Sequence, residues 1–239
     1  MKALALDTAI SCITISAKND DYLASLVLDI GMRQSEKLLP AIDYVLKQAD
    51  LSPADLDCAV LAEGPGSFTG LRLGFAALKA IELFGDTPLY GINSLDAYAW
   101  PYLGFDGIIL PIIDAHKDKF YAKAFLNGTE ILACDDWDLR ALEEKVLAAA
   151  SAKASQGQKP AAGKILVCGP EAKTFIDACK ENDLFGQNEL LAARGRSINL
   201  ESLFALAQEK ISSGQPPLAD YDGPQYFRAS EAEQNLPSA

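Results

Sequence analysis

The segment Gly64–Arg72, with the sequence GPGSFTGLR, lies between a short apolar run and a stretch with helical character. Its three glycines and one proline allow positive φ angles and a close approach of backbone N–H groups to an external group. A helix beginning near Thr69 would direct the positive end of its dipole to the same place. The segment therefore predicts a strand–turn–helix unit of an α/β protein.

The spacing of these glycines excludes two common nucleotide-binding loops. No Gly-Lys-Ser/Thr follows, so the segment is not a Walker A loop, and it does not match the G-x-G-x-x-G dinucleotide fingerprint. His116 is the only histidine, so neither a paired-histidine metal site nor an H-E-x-x-H protease motif can form. We expect no metal site, and spacing alone favours a plain strand-to-helix connection.

Charge and hydropathy limit the partners of this chain. Its 239 residues are 49% apolar, which is enough for a sizeable core in one or two domains. A net charge of −12 leaves little basic surface to neutralise phosphates, so nucleic acid should be held by another subunit. Asp7 comes too early for a signal-peptide core, and no apolar run approaches bilayer length. These features predict a cytoplasmic protein without membrane contact.

Apolar periodicity in the first half predicts the order β-β-β-α-β-α-β. The predicted strands are 3–6, 12–18, 23–30, 58–62 and 89–92, and the predicted helices are 38–49 and 69–84. Asp7 ends the first strand. Pro40 is expected in the first turn of the first helix or at a kink in it.

The second half repeats this order with a different sequence. Its predicted strands are 108–113, 119–126, 129–134 and 165–168, and its predicted helices are 139–149, 172–179 and 199–214. Asp114 ends the first of these strands, although Pro111 inside it argues against an ordinary central strand. An Ala/Gln/Lys/Gly tract at 151–164 is predicted to be a mobile loop. The predicted domains are 1–101 and 102–239.

Two such halves, each with an aspartate ending its first strand, resemble the actin-like (ASKHA, RNase H-like) superfold. That resemblance implies an α/β protein of two β-β-β-α-β-α lobes, the second one degenerate, with Asp7 and Asp114 facing a nucleotide cleft. A single mixed sheet with an accidental repeat is the alternative that periodicity leaves open.

Several motifs resemble those of the TsaB (YeaZ-type) proteins, which take part in making threonylcarbamoyladenosine on tRNA and are paralogues of the TsaD-type transferases. The full string GPGSFTGLR resembles the signature of that family most closely. The other matching motifs are Leu4–Thr8 (LALDT), Ser35 with Leu38-Leu39-Pro40, Ile113–His116 (IDAH, for IDAR), Tyr121, and Pro224-x-Tyr226-x-Arg228. His116 departs from the usual arginine, which weakens any anion-binding role there.

The resemblance implies a partner subunit rather than an enzyme. TsaD-type transferases carry an H-x-x-x-H metal motif, whereas Gln34–Leu38 here contains no histidine, so no catalytic residue is expected. The chain would bind and activate a TsaD-type transferase that modifies tRNAs reading ANN codons. Further implied partners are a TsaE-type ATPase and a second copy of this chain when it is alone, with tRNA contacted only indirectly.

The resemblance also implies which side chains carry these contacts. TsaB-like proteins use their first two long helices to build a four-helix bundle. On this chain the partner-binding side chains would be Leu38, Ile42, Leu71, Gly74, Phe75, Ala77 and Leu78. The candidate nucleotide or anion contacts are Asp7, Thr8, Gly66, Ser67, Thr69, Gly70, Arg72 and Asp114. No tightly bound cofactor is expected, with ATP or ADP a candidate at the junction with the partner subunit.

A stand-alone actin-like ATPase or kinase is the alternative function. Asp7 and Asp114 would then hold Mg²⁺ through water. Thr8-Ala9, however, lacks the glycines that actin-like kinases place after the first aspartate to admit phosphate.

Overall fold

The computed structural model describes residues 1–155 and 163–227, which form two compact units. The first unit contains Met1–Asn93 together with the described residues from Leu203 onward, and the second contains Ser94–Ser202. The predicted ranges were 1–101 and 102–239, so the structure draws the division earlier. It also places the C-terminal segment with the first unit.

The first unit is a five-stranded mixed sheet with the order β3-β2-β1-β4-β5. Its elements in chain order are β1 (Lys2–Asp7), β2 (Cys12–Asn19), β3 (Tyr22–Asp29), α1 (Gln34–Gln48), β4 (Cys58–Gly64), α2 (Phe68–Gly85) and β5 (Leu89–Asn93). The first three strands form an antiparallel meander, and β1, β4 and β5 run parallel. Both α1 and α2 pack on the sheet and contact each other, so their apolar faces enclose the core.

The second unit repeats this topology, with the strand order β10-β9-β6-β7-β8. Its elements are α3 (Ser94–Ala99), β6 (Ile108–His116), β7 (Lys119–Leu126), β8 (Thr129–Asp138), α4 (Leu139–Ser155), β9 (Lys164–Cys168), α5 (Ala172–Glu181) and β10 (Glu189–Ala192). The chain then enters α6 (Leu200–Ser212), within which the division between the units falls. The predicted fold class, a duplicated actin-like plan, is confirmed.

Two prolines lie where proline is uncommon, one inside a helix and the other inside a central strand. Pro40 is the seventh residue of α1, which excludes the first-turn alternative, and the helix continues beyond it to Gln48. Pro111 lies in β6, which is a central strand between β7 and β9. The pairing with β7 passes from Ile109 to Ile112, as expected where proline has no N–H to donate.

Three further differences concern the second half of the chain. The predicted loop at 151–164 begins later, because 151–155 complete α4; residues 156–162 lie outside the described residues. The short helix α3 and the four-residue strand β10 were not predicted. Arg228 of the C-terminal motif also lies outside the described residues.

Candidate functional site

The segment GPGSFTGLR connects β4 to α2 and caps the helix. The Gly64–Pro65 peptide bond is cis, and Ser67 is the N-cap residue of α2. The Ser67 hydroxyl accepts a hydrogen bond from the Gly70 N–H at 3.3 Å, which satisfies one of the unpaired donors of the first turn. The predicted strand–turn–helix unit is therefore present.

Three glycines of this region allow α2 to lie directly against the residues that follow β1. A Cβ atom on Gly66 would lie 2.5 Å from the Ala9 carbonyl oxygen, and one on Gly70 would lie 2.0 Å from that of Thr8. On Gly74 it would lie 2.4 Å from the Thr8 hydroxyl oxygen. Each distance is shorter than a carbon–oxygen contact permits, so close packing within the unit itself requires glycine at these positions.

Hydrogen bonds join the same two segments. The Thr8 hydroxyl donates to the Gly70 carbonyl at 2.7 Å, and the Ser67 N–H donates to the Ala9 carbonyl at 2.6 Å. The Ser67 N–H, one of the backbone donors of this loop, is thus bound within the chain. The loop and the end of β1 thus form one closely packed, hydrogen-bonded junction.

Asp7 lies beneath this junction and is fully buried. One carboxylate oxygen, Oδ1, accepts the Ala9 N–H at 2.8 Å, while Oδ2 has no hydrogen-bond partner among the described residues. Burial raises the pKa of Asp7 from 3.8 to about 6, and the Ala9 hydrogen bond offsets part of that effect. Burial therefore favours the protonated form of this carboxyl group.

Arg72 carries an exposed charge at the start of α2. Its guanidinium carbon lies 3.8 Å from the centre of the Phe68 ring, and its Nε donates to the Tyr226 hydroxyl at 3.0 Å. The Phe68 and Tyr226 rings are themselves 4.9 Å apart. These contacts join the signature loop to the C-terminal P-x-Y motif.

The structure brings most of the predicted nucleotide or anion contacts together. Seven of them surround the start of α2 in the first unit, and these are Asp7, Thr8, Gly66, Ser67, Thr69, Gly70 and Arg72. Asp114 belongs to the second unit, where its Oδ1 accepts the His116 N–H at 2.7 Å. The Asp114 N–H donates to Glu171 at 3.2 Å. Burial raises the pKa of the Glu171 carboxyl group.

The side chains predicted to bind a partner lie in the core of the first unit instead. All seven are buried, namely Leu38, Ile42, Leu71, Gly74, Phe75, Ala77 and Leu78. That part of the prediction is corrected, because α1 and α2 direct these residues onto their own sheet. Helical periodicity identified the apolar faces but not what covers them.

The predicted partner-binding residues include none of the exposed side chains on the outward side of the same helices. Arg72, Ala76, Ala80 and Phe84 follow one another at intervals of four residues and are exposed, as is Leu83. Leu83 and Phe84 are 82% and 77% exposed, and Leu39 and Tyr44 on α1 are 64% and 55% exposed. We call the set Leu39, Tyr44, Ala76, Ala80, Leu83 and Phe84 the outer helix surface.

A cavity of about 250 Å³ lies in the second unit. Aromatic and polar groups line it, among them Tyr98, Tyr102, Cys168, Arg194, Ser197 and Asn199. The Tyr98 hydroxyl donates to the Arg196 carbonyl at 3.0 Å, which fixes one wall. Sequence reasoning did not find this cavity, since its lining comes from three separated segments, 98–102, 168–169 and 193–199.

Residues 1–155 and 163–227 contain neither a metal-binding cluster nor a membrane-spanning helix. No group of three or more His, Cys, Asp or Glu side chains there is arranged to hold a metal ion. None of the helices in the same residues combines the length and apolarity needed to cross a membrane.

Two units that repeat the order β-β-β-α-β-α, each with its own five-stranded sheet, define an actin-like α/β protein. The chain belongs to the TsaD family: the family model described as tRNA N6-adenosine threonylcarbamoyltransferase matches residues 31–169, more than half of the sequence.

Named relatives agree with this membership, and a solved structure agrees with the fold. The chain is 34% identical over 122 residues to Bacillus subtilis TsaB, a tRNA threonylcarbamoyladenosine biosynthesis protein, covering 51% of this chain but only about half (53%) of that relative. It is 23% identical to Escherichia coli TsaB over 99% of each chain. The structure of YeaZ from Pseudomonas aeruginosa has a TM-score of 0.68 at 19% identity, covering 94% of this chain and 99% of that one. The predicted resemblance to TsaB proteins is confirmed, and the YeaZ structure confirms the fold.

Proposed function

We propose that this chain is a partner subunit that binds and activates a TsaD-type transferase in the formation of N6-threonylcarbamoyladenosine on tRNA. Family membership and the names of the two relatives support this proposal. The position of the transferase motif H-x-x-x-H begins here at Gln34, whose side-chain amide donates to the Ile10 carbonyl at 2.5 Å. Gln34 is thus a buried structural residue at the start of α1.

The outer helix surface is the observation that carries the proposal. Large apolar side chains are exposed on α1 and α2, two helices that contact each other, and exposed apolar patches are typical of protein–protein contacts. Ala76 and Ala80 have short side chains on the exposed line of α2, so a second helix can approach closely there. Leu83 and Phe84 at the end of this line would supply the apolar area.

Charge supports an indirect contact with tRNA. With a net charge of −12, the chain lacks the basic surface that binds phosphates, so the partner would hold the nucleic acid. We extend the proposal to a homodimer through the outer helix surface when no partner is present, and to a TsaE-type ATPase in the same complex. ATP or ADP would bind at the junction with the transferase subunit.

Ala80→Glu tests the proposed surface. A carboxylate buried without a partner in a helix–helix contact should weaken binding to a TsaD-type transferase about 100-fold, since each tenfold loss corresponds to about 1.4 kcal/mol. Titration calorimetry with purified TsaD-type protein measures the affinity, and a tRNA modification assay measures activation.

Ala148→Glu is the matched control. Ala148 is an exposed alanine on α4 in the second unit, so this variant adds the same charge away from the outer helix surface. Both variants should keep the wild-type melting temperature. Equal affinities for the transferase in the two variants would refute the assignment of the surface. A wild-type chain that binds the transferase but leaves modification unchanged would refute activation.

A stand-alone actin-like ATPase remains the second candidate, because the cavity in the second unit could accept part of a small ligand. The full burial of Asp7 weighs against it, since an enclosed carboxyl group offers no free face to hydrated Mg²⁺. Calorimetry with Mg-ATP on the isolated chain decides the matter. Tight binding that Asp114→Ala abolishes would favour the ATPase.

A further inference from the structure

The C-terminal strap, defined here as Leu218–Tyr226, follows α6 and returns across the first unit. Its first attachment is at Leu218, whose N–H donates to the Leu89 carbonyl at 2.7 Å. The Lys79 ammonium donates to the neighbouring Ala219 carbonyl at 2.9 Å. The side chain of Leu218 is partly buried against the core, so this end of the strap is anchored.

The second attachment reaches the first glycine of the signature loop. The Gln225 N–H donates to the Glu63 carbonyl at 2.8 Å, and its side-chain amide donates to the Glu63 carboxylate at 2.9 Å. A Cβ atom on Gly64 would lie 2.7 Å from the Gln225 carbonyl oxygen. The absence of a side chain at Gly64 is therefore what admits the strap.

Tyr226 completes this attachment by covering two residues of the loop. Its ring lies against Phe68, and its hydroxyl accepts a hydrogen bond from Arg72. Although Tyr226 makes these contacts, it is still 44% exposed, and the strap between the two attachments is exposed at 219–223. A few exposed hydrogen bonds and one ring stack are typical of a segment with low local stability.

We propose that Pro224–Tyr226 is a releasable latch on the Gly64–Arg72 loop. In the closed state, Gln225 and Tyr226 hold the loop against the strap and occupy the Arg72 side chain. Release uncovers the Phe68 ring and frees a guanidinium, the side-chain group best suited to pair with a carboxylate or phosphate. The Gly64–Arg72 loop and the Pro224–Tyr226 latch, more than 150 residues apart in the sequence, thus act together.

Hydrogen–deuterium exchange on the isolated full-length chain tests the latch. Tyr226→Ala should accelerate exchange about fivefold in peptides that cover Gly64–Arg72 and the strap, because it removes a ring stack and a hydrogen bond. Tyr221→Ala is the matched control, since Tyr221 belongs to the same strap but is fully exposed. Arg72→Lys, which keeps the charge but loses the planar group, should act like Tyr226→Ala.

Three results would overturn the latch. The first is equal exchange in Tyr226→Ala and Tyr221→Ala. The second is a wild-type strap whose amides exchange as slowly as those of β4, because such a strap is not releasable. The third is faster exchange throughout the first unit in Tyr226→Ala, which would make the strap an integral part of the fold. The assay needs no partner protein, so its result is independent of the proposed function.

Discussion

The close approach of Thr8 to Gly74 explains why position 74 is glycine, and a double mutant tests this explanation. The effect of Gly74→Ala on the free energy of unfolding should change sign when the Thr8 hydroxyl is removed. A Cβ atom on Gly74 would lie 2.4 Å from the Thr8 hydroxyl oxygen, but no closer than 3.5 Å to its next neighbours, Leu6 Cδ2 and Thr8 Cβ. Overpacking costs about 1–3 kcal/mol, whereas glycine to alanine inside a helix gains about 1 kcal/mol. Gly74→Ala should therefore destabilise the wild type by up to about 2 kcal/mol.

Removing the hydroxyl group should reverse that result. Thr8→Ala loses the hydrogen bond to the Gly70 carbonyl, which costs about 1 kcal/mol, and it opens the space that a Cβ on Gly74 requires. In the Thr8→Ala background, Gly74→Ala should then stabilise the chain by about 1 kcal/mol. The coupling energy between the two sites is expected to be about 1–3 kcal/mol.

Urea unfolding of the four chains of this cycle measures the free energies. Gly104→Ala is the control, because a Cβ atom there meets no atom within 4 Å. If Gly74→Ala destabilises both backgrounds equally, the Thr8 hydroxyl is not what requires glycine at position 74. The reasoning about the junction would then fail.

Two charged groups give further predictions. Because the pKa of Asp7 is raised from 3.8 to about 6 in the folded chain, its contribution to stability is fully present below pH 4 and is lost as the pH rises through 6. Asp7→Asn should remove this loss of about 3 kcal/mol. If urea unfolding from pH 4 to 7 shows a constant difference in unfolding free energy between the wild type and the variant, the prediction is wrong. Lys123 has a largely buried side chain and pairs with Asp96 at 2.6 Å and Glu130 at 2.7 Å. Lys123→Met should lower the free energy of unfolding by about 2 kcal/mol in the same assay. Lys119→Met, at a more exposed ion pair, should lower it by about 0.5 kcal/mol or less. Equal losses in the two variants would show that burial does not determine the contribution of these ion pairs.

Local patterns in the sequence were sufficient to predict the lobes. Short apolar runs and the alternation at 12–18 predicted the strands of the meander, and the interval of apolar residues predicted α1 and α2 to within a few positions at most ends. These signals depend on near neighbours in the chain, so they survive without any tertiary information. The short elements α3 and β10 carried too few residues to show a period.

The partner-binding residues show where such patterns fail. Leu38 and Ile42 were correctly recognised as apolar residues of α1, and Phe75 as an apolar residue of α2, but all three pack in the core of the first unit. An apolar stripe has the same pattern whether it faces a core or a partner. No pattern in the sequence distinguishes Leu83 and Phe84 from core residues. Only their exposure in the fold makes them candidates for a contact with a partner.

The sequence by itself determined the order of the longer elements, the strand–turn–helix unit at Gly64–Arg72 and the family resemblance, because each of these resides in contiguous residues. Only the tertiary structure shows why Gly64 and Gly74 must be glycine. Gly74 faces Thr8, and Gly64 faces Gln225, across separations that only folding closes. A side chain is excluded at such positions by atoms that are distant in the chain, and a linear sequence does not state which atoms those are.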